Sequence, residues 1–161
     1  MLKFIVHQNG QITDDWQLTN AHMLGPDDVG VRATITYEDG VITCDKRTVG
    51  PAALALQYPV GDLGEFTLQT CLLPDREEPY LLSLELARHR IMKVIAKQED
   101  WGMFDLDDDH PVTRRLSLAK TRFVEALNEE EVSPAANKLA REALFAALDA
   151  SEELSLAHAD A

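Results

Sequence analysis

Cysteine is scarce in this 161-residue chain, which has only Cys44 and Cys71. Two thiols cannot build the disulfide framework of a small secreted domain, and neither has the CxxC or Cys/His spacing of a zinc site. Both fall in strand-like runs, so two buried free thiols are expected. Basic residues are also few, 15 Lys and Arg against 28 Asp and Glu, giving a net charge of −13 and a pI near 4.6. That balance argues against nucleic acid and against anionic membranes, because both need a Lys/Arg surface. No run approaches the roughly 18 apolar residues of a membrane-spanning helix. The N-terminus MLKFIVHQNG has one lysine, a short apolar run and no small-residue cleavage site, so cytoplasmic residence is expected. The few glycines fall at turns, and no GxSxG elbow, P-loop or GxGxxG is present.

The length suits one ordinary domain with a sizeable core. An α+β architecture is expected: an antiparallel β meander or sandwich-like sheet over residues 1–76, then about three helices over 77–161. Leu2 to His7 reads as a strand stopped by Asn9-Gly10, and Trp16 to Met23 as the next, ending at the polar turn Gly25-Pro26-Asp27-Asp28. Val31, Ala33, Ile35 and Tyr37 alternate with polar residues, the pattern of a strand with one wet face. Asp39-Gly40 then predicts a type I′ hairpin into Val41 to Lys46. Leu54, Leu56 and Tyr58 share one strand face, and Phe66, Leu68, Thr70 and Leu72 another. Some 75 residues is small for a complete two-sheet sandwich, so the helices are expected to cover one face.

Around Thr70 to Leu106 the apolar period lengthens from two to about three and a half. Pro79 marks the expected start of the first helix, with the stripe Leu84, Ala87, Ile91, Val94 and Ile95 and with Gly102 as C-cap. Asp109 is the expected cap of the second helix, with Pro111 in its first turn and a stripe of Val112, Leu116, Ala119, Phe123 and Leu127. Ser133-Pro134 opens the third, whose face of Ala136, Ala140, Ala143, Leu144 and Ala147 lets another backbone approach closely. The helical pattern is still running at Ala161, with no Gly, Asn or Pro to close it, so the natural chain is expected to continue.

Chemistry is thinly signalled. Asp105 to His110 begins like a calcium loop, but His110 stands where glycine is needed and Leu116 where glutamate is needed, so a solvated loop is the plainer reading. His7, His22, His89, His110 and His158 have no metal-ligand spacing, and His89, between two arginines, is expected to be exposed. Glu85, Glu99, Asp100 and Glu125 are read as surface charge, because an acid–base pair needs a cleft that separates its pKa values. No metal, cofactor or catalytic residue is assigned. Aromatic residues total 6%. Flat rings are the usual platforms for sugars, which makes Trp16, Tyr37, Tyr58 and Trp101 the candidate carbohydrate-binding residues. The competing role for each is packing, and for Tyr37 and Tyr58 it is favoured because both lie on the apolar side of their strands.

Gly50-Pro51-Ala52-Ala53-Leu54, Leu73-Pro74, Pro79-Tyr80, Glu85-Leu86-Ala87-Arg88 and Glu99-Asp100-Trp101-Gly102 carry a family resemblance, supported by Leu24-Gly25-Pro26-Asp27 and Leu156-Ala157-His158-Ala159. The pattern resembles the N-terminal region that precedes the barrel in planctomycete-type family 10 glycoside hydrolases, the endo-1,4-β-xylanase family, and it covers most of the chain. A (β/α)₈ barrel needs at least about 200 residues, so the resemblance implies an accessory, non-catalytic module with its catalytic barrel elsewhere. It implies a polysaccharide and the downstream hydrolase barrel as partners. The alternative is a structural or protein-interaction module without a ligand, or a homo-oligomer joined through its sheet and Ala-rich helix.

Overall fold

The computed structural model describes residues 1–7, 18–61 and 64–160, in two compact units, Met1–Leu86 and Ala87–Ala161. Asn9-Gly10 lies outside the described residues. In the first unit, Asp39 and Gly40 both adopt positive φ, 51° and 79°, as a type I′ turn requires. They join β4 (Ala33–Glu38) to β5 (Val41–Lys46), paired from Glu38↔Val41 to Ala33↔Lys46. Glycine is needed at position 40 for a second reason. A Cβ there would lie 3.3 Å from the carbonyl oxygen of Val6, whose own N–H donates to the Gly40 carbonyl at 2.7 Å.

β1 (Leu2–Ile5) pairs antiparallel to β5 on one side and parallel to β8 (Tyr80–Leu81) on the other. The first sheet therefore has the order β4-β5-β1-β8. A second sheet contains β2 (Thr19–Leu24), β3 (Gly30–Val31), β6 (Ala53–Pro59) and β7 (Glu65–Gln69) in the order β3-β2-β6-β7. The α+β class read from the sequence is the observed one. Strand order adds what alternation cannot supply: two four-stranded sheets held by the non-sequential pairs β1–β5 and β2–β6. Leu2, Phe4, Met23, Ile42, Leu54 and Leu56 are fully enclosed, and central β6 also buries Ala53 and Ala55 on its other face.

Two expectations shift here. Leu68 and Thr70 are buried, but Phe66 and Leu72 are 39% and 44% exposed, and Leu73 turns inward instead. The cause is Thr70. Its Oγ1 accepts the Leu54 N–H at 3.1 Å and donates to the Cys71 carbonyl at 2.8 Å, so a side chain takes one place in the ladder and the chain beyond it slips by one. The first helix begins at Leu82, not Pro79. Tyr80 is held as a strand residue by packing on Phe4, ring centroids 5.8 Å apart, and by its hydroxyl donating to the Pro74 carbonyl at 2.7 Å. Arg76 lies over the same ring at 3.6 Å, adding a cation–π contact.

α1 (Leu82–Asp100) continues into the second unit and ends in a Schellman motif. Met103 N–H donates to the Gln98 carbonyl and Gly102 N–H to that of Glu99, with Gly102 at φ +65°. α2 (Pro111–Leu127) is capped by His110, whose Nδ1 accepts the Val112 N–H at 3.1 Å. The expected Asp109 cap is one residue too early, because Pro111 occupies the first helical position and makes its predecessor the cap. α3 (Pro134–Ala159) is capped as expected by Ser133, Oγ accepting from Ala136 N–H. Ile91, Val94, Val112, Leu116, Ala119, Ala147 and Leu154 form the shared core of the three helices. Near the end of α2 the stripe passes to Ala126, leaving Leu127 49% exposed, as a 3.6-residue period drifts from a seven-residue one.

Candidate ligand-binding groove

The described rings among those singled out as sugar platforms are dispersed. Trp16 lies outside the described residues. Tyr37 is half-buried on β4, opposite Ile42, and Tyr58 on β6 is only 2% exposed, opposite Phe66 in the other sheet. Trp101 follows α1 in the helical unit, where it packs against the helical core and stacks on His158 at 4.1 Å and 18°. Lys97 Nζ sits 5.5 Å from the same ring. No two of the three described rings share an element.

Nucleophilic chemistry finds little support in Cys44. Burial pushes its thiol up to about 12, so it stays protonated and inert at neutral pH. Cys71 is half-buried, and both cysteines are free thiols. His89 is half-buried instead of exposed. Glu85, read as surface charge, is instead 5% exposed, and a buried cation of the β unit has a structural role. Lys46, its side chain 2% exposed, donates to Asp75 Oδ2 at 2.8 Å, the Gly50 carbonyl at 2.6 Å and the Thr48 carbonyl at 3.2 Å. Asp75 also receives the N-terminal ammonium at 2.9 Å. The Lys46 hydrogen bond, then that of the N-terminus, holds its carboxyl below the usual carboxylate range. All three ammonium protons of Lys46 are therefore committed, and the cluster fastens the end of β5 to the segment before β8.

A different group of residues lines a groove of about 560 Å³ in the β unit, where the chain crosses from β3 in one sheet to β4 in the other. Its lining includes apolar Met23 of β2, Val31 of β3 and Ile35 of β4 together with the polar His22, Arg32 and Arg47. The hairpin register explains the arginines. Ala33 pairs with Lys46, and one step further the Arg47 N–H donates to the Arg32 carbonyl at 3.1 Å. Arg32 and Arg47 are thus directly opposite, and opposite residues of an antiparallel pair project from the same face about 5 Å apart at Cβ. His22 is oriented by its Nδ1, 3.1 Å from the Asn20 carbonyl. Sequence reasoning missed this group, although a signal was there. Counting outward from the two-residue turn Asp39-Gly40 sets Arg32 against Arg47.

A second depression of about 450 Å³ in the helical unit is lined by Pro111, Arg114, Arg115, Leu118 and Glu153. Its arginines share the site with a carboxylate, whereas the described lining of the β-unit groove contains none. Among the described residues no helix is long and apolar enough to cross a membrane. Set beside known proteins, the chain matches no family model, no curated protein and no solved structure.

Proposed function

We propose that this chain is a non-catalytic accessory module of a larger, glycoside hydrolase-like protein, acting through protein packing and not through an aromatic sugar platform. The observation that supports packing over an aromatic platform is the state of Trp101. Its indole is stacked on His158 and packed on the helical core, so it joins the end of α1 to the end of α3. The burial of Tyr58 points the same way. Phe66 on β7, the edge strand of its sheet, and Leu72 just beyond that strand are both exposed and offer apolar surface for such packing.

The test is titration of the purified chain with xylo-oligosaccharides, alongside Trp101→Ala. No saturable binding is expected, and Trp101→Ala should lower unfolding stability by about 2–3 kcal/mol, below the cost of a fully buried tryptophan because this one is half-buried. Saturable binding that disappears in Trp101→Ala without loss of stability would reverse the assignment to ring-stacking recognition. Release of reducing sugar from xylan by the pure chain would overturn the non-catalytic part.

A further inference from the structure

Two arginines directly opposite each other on an antiparallel pair are an unfavourable arrangement, since like charges at that spacing repel. Here neither Arg32 nor Arg47 has an ion-pair partner among the described residues. Asp45, the acid nearest in register, pairs with Thr34, so it lies diagonal to Arg32 and two residues before Arg47 on the same strand, yet among the described residues it forms no ion pair with either. In a chain with 28 acidic side chains, neutralising partners are abundant. A pair without one among the described residues, in the lining of a groove, is a local conflict of the kind that concentrates at binding sites.

We propose that this groove is a binding site for a small organic oxyanion, a molecule carrying a carboxylate or phosphate group. The chemistry follows from the donors. Each guanidinium presents a planar fork matched to two oxygens of such a group, and two forks from one face converge on a single anion. An anion between them converts their repulsion into two attractions. The His22 ring, held through Nδ1 on the Asn20 carbonyl, adds an Nε2–H donor when protonated. The half-buried Val31 and Ile35 are apolar members of the same lining, and the volume lies within the range of small-molecule sites. The negative charge of the whole chain disfavours non-specific anion capture, so binding depends on this local pair. The site goes beyond the accessory-module reading and stands without it.

The experiment is calorimetric titration of the whole chain at low salt with glucuronate, glucose 6-phosphate and, as the neutral control, glucose. Each is taken to about 10 mM, well above the millimolar Kd that corresponds to about −4 kcal/mol. Saturable binding of at least one charged probe is expected, with none for glucose. Binding of glucuronate alone marks a carboxylate ligand, and of glucose 6-phosphate alone a phosphate ligand. Arg32→Gln and Arg47→Gln should each weaken that binding at least tenfold. Arg114→Gln/Arg115→Gln, which removes charge from the helical unit instead, should leave it unchanged. A second readout separates binding from folding: without ligand, Arg47→Gln should melt at or above the wild-type temperature, because it relieves repulsion. The proposal is overturned if neither charged probe binds, if glucose binds equally, or if Arg114→Gln/Arg115→Gln weakens binding as much as the groove variants.

Discussion

Thr70 does with one side chain what a strand does with its backbone. Its hydroxyl accepts from Leu54 N–H and donates to the Cys71 carbonyl, while its own N–H donates to the Leu54 carbonyl at 2.9 Å, all at 0% exposure. Valine would fill nearly the same volume but leave the buried Leu54 N–H unpaired. Thr70→Val should therefore lose about 1–3 kcal/mol in denaturant unfolding, and Thr70→Ser, which keeps the hydroxyl, much less. Asp75 makes a pH-dependent contribution whose sign is fixed by its lowered pKa. Stabilisation from the Lys46 and N-terminal bonds is fully present above the ordinary carboxylate value of 3.8 and is lost as pH falls through the lower folded value. Asp75→Asn should thus be less stable than wild type at neutral pH, with the two stability curves converging below pH 3.8. Parallel curves throughout the acid limb would show that the ion cluster contributes nothing through ionisation.

At the scale of elements, the helical unit depends on small residues where α2 and α3 meet. Ala119, Ala143, Ala147 and Ala150 are all at 0% exposure, and Arg122 of α2 also reaches Glu142 of α3 at 3.2 Å. That ion pair is largely solvated and worth little, so close backbone approach carries the packing. Ala147→Leu should cost about 1–3 kcal/mol by overpacking, read from the shift in denaturant midpoint. These elements were legible in the sequence because each signal is local: the Asp39-Gly40 hairpin, the Ser133 cap, the Gly102 C-cap and the alanine face all follow from nearby residues. What was not legible depended on distant ones. Tyr80 is a strand residue because Phe4 lies beside it, and Leu72 faces outward because Thr70 bonds to Leu54. The groove falls between the two cases. The Arg32–Arg47 pairing follows from the hairpin, but Met23 and Val31 join the lining only once β2 and β3 lie in a second sheet.

For the molecule as a whole, charge is the property with the widest reach. A net −13 over 161 residues means that folding gathers excess negative charge into a smaller volume, and the native state bears more self-repulsion than the open chain. Screening by salt weakens that repulsion, with a Debye length of roughly 30 Å at 0.01 M falling to about 8 Å at 0.15 M. Melting temperature should therefore rise as sodium chloride is raised from about 10 to 150 mM. The attractive pairs Lys46–Asp75 and Arg122–Glu125 work against the trend, but the first has a buried ammonium that salt screens poorly and the second is a solvated pair of small worth. A melting temperature that falls with salt would mean that attractive pairs outweigh the net charge. The same series separates bulk screening from local binding at the groove. At matched ionic strength, an oxyanion held by both arginines should stabilise the wild type beyond what sodium chloride does, whereas Arg32→Gln/Arg47→Gln should respond to the oxyanion and to chloride alike.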